Sequence, residues 1–224
     1  MQYGKFQDFC RDSTLPVCNV LLPKGTQNQP IGSAYGGCHL RGIHISGDRY
    51  LGNLGSILVS GLAIFTTFFL LWRTNRKAAA VGRREIQVFL IGYLVVSISE
   101  IFTIGGFPLR DEVRRGFSAV HIGAVIATAW ILFLNALVGF QLQDDGTPLS
   151  VGLTKPMIYL VAAALLFAIG QIFNYVISVH ICNPTNGAIN GAFFESFFTL
   201  LSIVTVWRFW SSITEDDWPI EIET

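Results

Sequence analysis

Apolar and polar residues fall along this chain in long blocks. Five apolar stretches stand out: Leu54–Trp72 (LGSILVSGLAIFTTFFLLW), Ile86–Phe107, Phe117–Leu142, Pro156–Ile181 and Gly191–Trp210. Each is roughly 19–26 residues, enough to cross a hydrocarbon core of about 30 Å at 1.5 Å per residue. Membrane strands would be about ten residues long and would alternate in polarity, which these segments do not. The pattern predicts an all-α fold, a polytopic transmembrane bundle of five helices, with Pro156 suited to the first turn of the fourth. Residues 1–53 then form a polar N-terminal segment bearing cysteines, 54–210 the membrane domain, and 211–224 an acidic tail. No charged and then apolar leader opens the chain, so the first span is expected to act as its own insertion signal.

Composition agrees with the blocks. Hydrophobic residues make up 51% and charged residues 13%, with a mean hydropathy of +0.51, whereas soluble domains carry about 25% charged residues. Fifteen bases balance fifteen acids, so nothing marks a nucleic-acid partner. Distribution says more than the total. Arg73, Arg76, Lys77, Arg83 and Arg84 crowd the first inter-span loop, while only Arg41 and Arg49 lie close on the other side of span one. The positive-inside rule places Arg73–Glu85 in the cytosol and the N-terminal segment on the lumenal or extracellular side. Loop 108–116, with Arg110, Arg114 and Arg115, opposes this weakly. Five spans leave the tail cytosolic. All four cysteines, Cys10, Cys18, Cys38 and Cys182, then share the oxidising face, which predicts two disulfides with three possible pairings.

Ionisable groups inside spans are candidates for chemistry. Here they are Glu100, His121 and Glu195, joined by the uncharged polar Asn135, Gln171 and Asn174. They would line a proton or ion path in a small transporter or channel; the more ordinary expectation, favoured here, is hydrogen bonding between helices at about 1 kcal/mol per contact. His39 and His44 beside Cys38 lack the paired spacing of a metal site, so no metal or other cofactor is expected. No G-x-S-x-G, H-E-x-x-H or G-x-x-x-x-G-K motif occurs, and the cytosolic loops are too short for a catalytic domain. No enzyme is expected. The small residues Gly55, Ser60 and Gly61 permit close helix contact in span one. Glu215, Asp216, Asp217, Glu221 and Glu223 form a base-free tail, read either as a solvated end or as a contact for basic partner surfaces.

Four segments resemble one family, in order along the chain. YGKFQDFCRDSTLPVCNVL (residues 3–21), AAVGRREI (79–86), GFQLQDDGTPLS (139–150) and WSSITEDDW (210–218) are similar to the fungal chitin synthase export chaperones, and Cys38 and Cys182 fall where that family has cysteines. The resemblance implies a chaperone of the endoplasmic reticulum membrane, possessing no catalytic role of its own, whose partners are a chitin synthase client, the lipid bilayer and vesicle-coat components. It also implies seven spans, where five are seen here. The fourth and fifth family spans are missing near Gly152–Lys155. Without the resemblance, a transporter or a receptor-like membrane protein would stand as the alternative.

Overall fold

The structure, a computed structural model, describes residues 10, 15–21, 40–46, 49–77, 80, 82–105, 109–141 and 154–214. In chain order these form α1 (Pro16–Leu21), β1 (Ile43–Ser46), β2 (Arg49–Leu51), α2 (Leu54–Arg76), α3 (Arg83–Thr103), α4 (Asp111–Gln141) and α5 (Thr154–Ile172). A π-helical turn, Phe173–Ile177, carries α5 into α6 (Ser178–Cys182), and α7 (Gly191–Ile213) follows. Among the described residues five helices are long and apolar enough to span a membrane. The helical class and the number of spans are as read from the sequence. One addition is the antiparallel hairpin β1–β2, which pairs Ile43 with Leu51 and His44 with Tyr50.

Helix ends depart from the hydropathy blocks in three places. The first helix runs past Trp72 to Arg76, because Arg73 and Arg76 complement the negative end of its dipole. The second stops at Thr103, four residues before Phe107; Ile104 N–H and Gly105 N–H both bond to the Glu100 carbonyl and close the last turn. The third starts at Asp111, not Phe117. Residues 111–116, read from the sequence as part of an outer loop, are helical. Arg110 O accepts the Arg114 N–H at 3.0 Å, and Arg114 is buried at 7% exposure. Its charge signalled a loop, but the long side chain folds against the bundle end.

Close packing runs in a series: α5 on α7, α7 on α2, α2 on α3, and α3 on α4. The terminal members, α4 and α5, flank residues 142–153 and leave most of their positions uncovered, whereas half of α3 is buried. Phe89, Leu90, Val96, Leu70, Leu200 and Val206 belong to the core. Its polar counterpart ties the two ends of the bundle. At one end, Asn53 caps α2 by accepting from Ser56 N–H at 3.3 Å, Asn190 caps α7 by accepting from Phe193 N–H at 3.4 Å, and Asn53 Nδ2 donates to Asn190 Oδ1 at 3.3 Å. At the other, Trp207 Nε1 donates to Thr74 Oγ1 at 2.9 Å and Lys77 Nζ to Ser211 O at 3.3 Å. Glycine lets two helix pairs approach: a Cβ on Gly92 of α3 would run into Thr128 Oγ1 of α4, and one on Gly170 of α5 would sit 3.3 Å from Glu195 O of α7.

Candidate functional site

The intramembrane polar residues divide into separate places. Glu100, in the last turn of α3, is 8% exposed and accepts a hydrogen bond from the Ser196 hydroxyl of α7. Ser56 and Ser60, one turn apart on α2, act on the same carboxyl, as does the charge of Glu195. Glu195 in turn accepts from Gln171 Nε2 of α5 at 3.3 Å, and Tyr93 of α3 lies in the field of both acids. The structure thus brings Glu100, Glu195 and Gln171 together across α3, α7 and α5. Hydropathy showed the acids but not the hydroxyls around them. Ser56 and Ser60 at (i, i+4) spacing inside an apolar run was the available signal.

His121 stands apart from that group, on the α3–α4 contact. Its Nδ1 lies 3.2 Å from Val96 O and 3.1 Å from Ser99 Oγ. A carbonyl only accepts, so the first contact puts the proton on Nδ1. Asn174 is buried in the π-helical turn at 1% exposure. Asn135 lies toward the other end of α4, lining a shallow groove of about 260 Å³ with Ile131, Leu134, Arg84, Glu85 and Val88.

The described extramembrane cysteines sit at the bundle end that carries the caps. Cys10 and Cys18 form a disulfide. Cys182 is disulfide-bonded as well, and Cys38 lies outside the described residues, as do the tail residues Glu215, Asp216, Asp217, Glu221 and Glu223 and the break near Gly152. A residue the sequence reading passed over, Asn19 of α1, is 2% exposed. Its Nδ2 donates to Ser118 Oγ of α4 at 3.0 Å and points to Thr103 O of α3 at 3.5 Å, seating the disulfide-bearing segment on the ends of two spans. Arg41 N–H, bonded to Gly187 O at 2.8 Å, joins the segment before the hairpin to the turn before α7.

Among the described residues these polar groups hydrogen-bond across neighbouring helices, and sequence comparison gives the arrangement a context. The chain is 25% identical over 284 residues to the chitin synthase export chaperone of Aspergillus fumigatus, covering 97% of this chain and 84% of the relative. It is 25% identical over 288 residues to that of Chaetomium globosum, covering 100% and 86%, and 27% identical over 284 residues to that of Phaeosphaeria nodorum, covering 97% and 84%. No solved structure matches. Since 224 residues are aligned over 288 positions in the Chaetomium comparison, about 64 positions have no counterpart here. The family profile for chitin synthase export chaperones matches in two pieces, residues 2–155 and 151–224, which meet where the sequence shows its break and together cover the whole membrane bundle; the chain belongs to that family.

Proposed function

We propose that this chain is a non-enzymatic membrane chaperone that assists the folding and endoplasmic-reticulum export of a chitin synthase, and so serves cell-wall chitin synthesis. The observation that carries this reading is the family profile, matched in order from residue 2 to residue 224. The uncovered faces of α4 and α5 support it physically. In a bilayer, apolar faces gain nothing from leaving water, so association with client spans rests on close packing and interhelical hydrogen bonds. The division into N-terminal segment, membrane domain and tail follows the same reading. The unmatched alignment positions correspond to two spans and their loop between α4 and α5.

The proposed topology has residues 1–53 and Cys182 in the lumen, and Arg73–Glu85 and the tail in the cytosol. Its supports are the five bases near one end of α2 and α3 and the bonded Cys10, Cys18 and Cys182 at the other, since disulfides persist in oxidising compartments. The five tail carboxylates are assigned to basic surface on the client or a vesicle coat. Affinity purification of the tagged chain in mild detergent, with mass spectrometry, tests the function: a chitin synthase should co-purify, and deletion of the chaperone should hold that synthase in the endoplasmic reticulum. Normal delivery of every chitin synthase in the deletion strain would overturn the reading. Cysteine labelling in sealed microsomes tests the topology, which a protected tail would refute.

A further inference from the structure

The groove between α3 and α4 carries unpaired groups of both signs. Arg84, Glu85, Val88, Ile131, Leu134 and Asn135 line it, and helix register fixes the depth of each. Gly92 lies against Thr128, and Val96 O lies 3.2 Å from His121 Nδ1, so the two helices run antiparallel. One turn from the Gly92–Thr128 pair, toward the start of α3, Val88 shares a level with Ile131. One turn further, Arg84 and Glu85 share a level with Asn135, and Leu134 stands between the two levels. The apolar part of the groove is therefore the deeper part. Because α3 begins at Arg83 while α4 runs on to Gln141, the groove is a step at the bundle end that bears the bases of the first inter-span loop.

Polar neighbours at this end are satisfied within the chain: Gln87 Nε2 donates to Asn75 Oδ1 at 2.6 Å, and Lys77 Nζ to Ser211 O at 3.3 Å. The side chains of Arg84, Glu85 and Asn135 have no hydrogen bond or ion pair among the described residues. Arg84 and Glu85 are exposed, but Asn135 is half-buried in a groove shared with Ile131 and Leu134, where an amide needs a polar partner. At the edge of a bilayer, polar partners above an apolar stem are what a phospholipid offers. The charges of the groove choose among headgroups. A guanidinium takes the phosphate that all of them carry. Glu85 selects the remainder, attracting a headgroup that ends in a cation and disfavouring one with a further anionic group. Glu85 and the Asn135 side-chain carbonyl both accept hydrogen bonds, and a primary ammonium has three N–H donors for them; a quaternary ammonium has none. The bases of the first loop draw anionic lipid to this end in general, yet of them only Arg84 lines the groove, and Glu85 offsets it there. We propose that this groove binds one phospholipid whose headgroup carries a phosphate, a primary ammonium and no other charge. Its phosphate lies on Arg84, its ammonium on Glu85 and Asn135, and the head of an acyl chain along Val88, Ile131 and Leu134. The lipid thereby bridges α3 to α4, an outer member of the packed series.

Native mass spectrometry of the full chain, delipidated in detergent, tests this against phosphatidylethanolamine, phosphatidylcholine and phosphatidylglycerol with identical acyl chains. The measurement uses the purified chain alone, so its outcome is independent of any client. One phosphatidylethanolamine should bind with a Kd about tenfold below that of phosphatidylcholine, the factor that a charge-assisted hydrogen bond carries. It should also raise Tm, read by tryptophan fluorescence, above the value in phosphatidylcholine, since a ligand stabilises the folded form it binds. Glu85→Gln should bring those two lipids to parity, and Arg84→Gln should weaken both. Each position is exposed, so the variants should keep the wild-type Tm without lipid, and the comparison of lipids on the unaltered chain decides the matter even where they do not. Equal binding of all three lipids is annular contact alone and overturns the proposal. A preference for phosphatidylglycerol that Glu85→Gln leaves unchanged also overturns it, and assigns the lipid to the general field of the first-loop bases. A preference for phosphatidylethanolamine that survives both substitutions overturns it too, by placing the lipid elsewhere on the bundle.

Discussion

The contact between Gly92 of α3 and Thr128 of α4 offers the sharpest test of the packing. An added Cβ on Gly92 meets Thr128 Oγ1 inside contact distance, with Thr128 Cβ at 3.4 Å and Cγ2 at 3.6 Å. Thr128 is 7% exposed, and its hydroxyl is held by Ala124 O at 2.7 Å. Rotation about χ1 to relieve the clash would break that bond and swing the methyl into the same space. Gly92→Ala therefore pits a gain in helix propensity of up to about 1 kcal/mol against overpacking of about 1–3 kcal/mol. The expected net loss is about 0–2 kcal/mol. Thr128→Ala removes both Oγ1 and Cγ2 and leaves an ordinary contact, so the double variant should be more stable than the sum of the single ones by about 1 kcal/mol.

Gly61 of α2 supplies the control. A Cβ there meets nothing within 4 Å, so Gly61→Ala should be neutral or mildly stabilising. Thermal unfolding in detergent reads all four variants, at roughly 2–4 °C per kcal/mol for a chain of this size. If Gly92→Ala matches the wild type and the double variant is additive, α3 and α4 do not meet at this pair.

Two further outcomes follow from the N-terminal segment and the opposite bundle end. Replacing Cys10 and Cys18 by serine should speed proteolysis of that segment while leaving the unfolding of the spans nearly unchanged, since closing a loop of sequence separation 8 stabilises local order by about 2.5 kcal/mol in the chain-entropy account; equal cleavage rates would refute the docking. Trp207→Phe should cost about 1–2 kcal/mol in thermal unfolding, through loss of the Nε1–Thr74 bond of 2.9 Å and of ring volume, and an unchanged Tm would show that the bond contributes nothing to the α2–α7 contact.

The number and approximate extent of the spans were legible because a bilayer imposes a length on apolar runs, and that length survives in sequence. The order of packing was not. Hydropathy along α3 or α7 is high on every face, so nothing in the pattern tells a buried Leu200 from an exposed Phe197. Glu100 and Glu195 were visible as acids out of place, but their partners depend on how α2 is rotated against α3 and α7. Arg114 misled for the opposite reason. Charge marks the edge of an apolar block, yet α4 extends past that edge with Arg114 buried against the bundle. Asn19 escaped notice because a polar residue in a polar segment carries no signal until its seat on Ser118 is known.

The break in the family match falls between α4 and α5, and the contacts that unite the two sides lie elsewhere. Residues 2–155 contain α2, α3 and α4, and residues 151–224 contain α5 and α7. They meet through α2 and α3 against α7: Asn53 with Asn190, Ser196 with Glu100, Thr74 with Trp207, and Lys77 with Ser211. None of these needs the connection from α4 to α5, whose helices stand at opposite ends of the packed series. Loss of residues at that connection therefore leaves the interface between the halves intact. It follows that the chain should tolerate being cut there. Co-expressed as two pieces divided within residues 142–153, and purified under reducing conditions because the bonded Cys182 would otherwise link them covalently, the halves should insert and co-purify in mild detergent through a tag on either one. A matched pair bearing Trp207→Ala and Ser196→Leu, which fills the α7 face with the wrong shape and removes two of the four bonds, should co-purify far less. If the unaltered halves separate on purification, the α2–α7 contact is too weak to hold the bundle, and the covalent link between α4 and α5 is what keeps the five spans together.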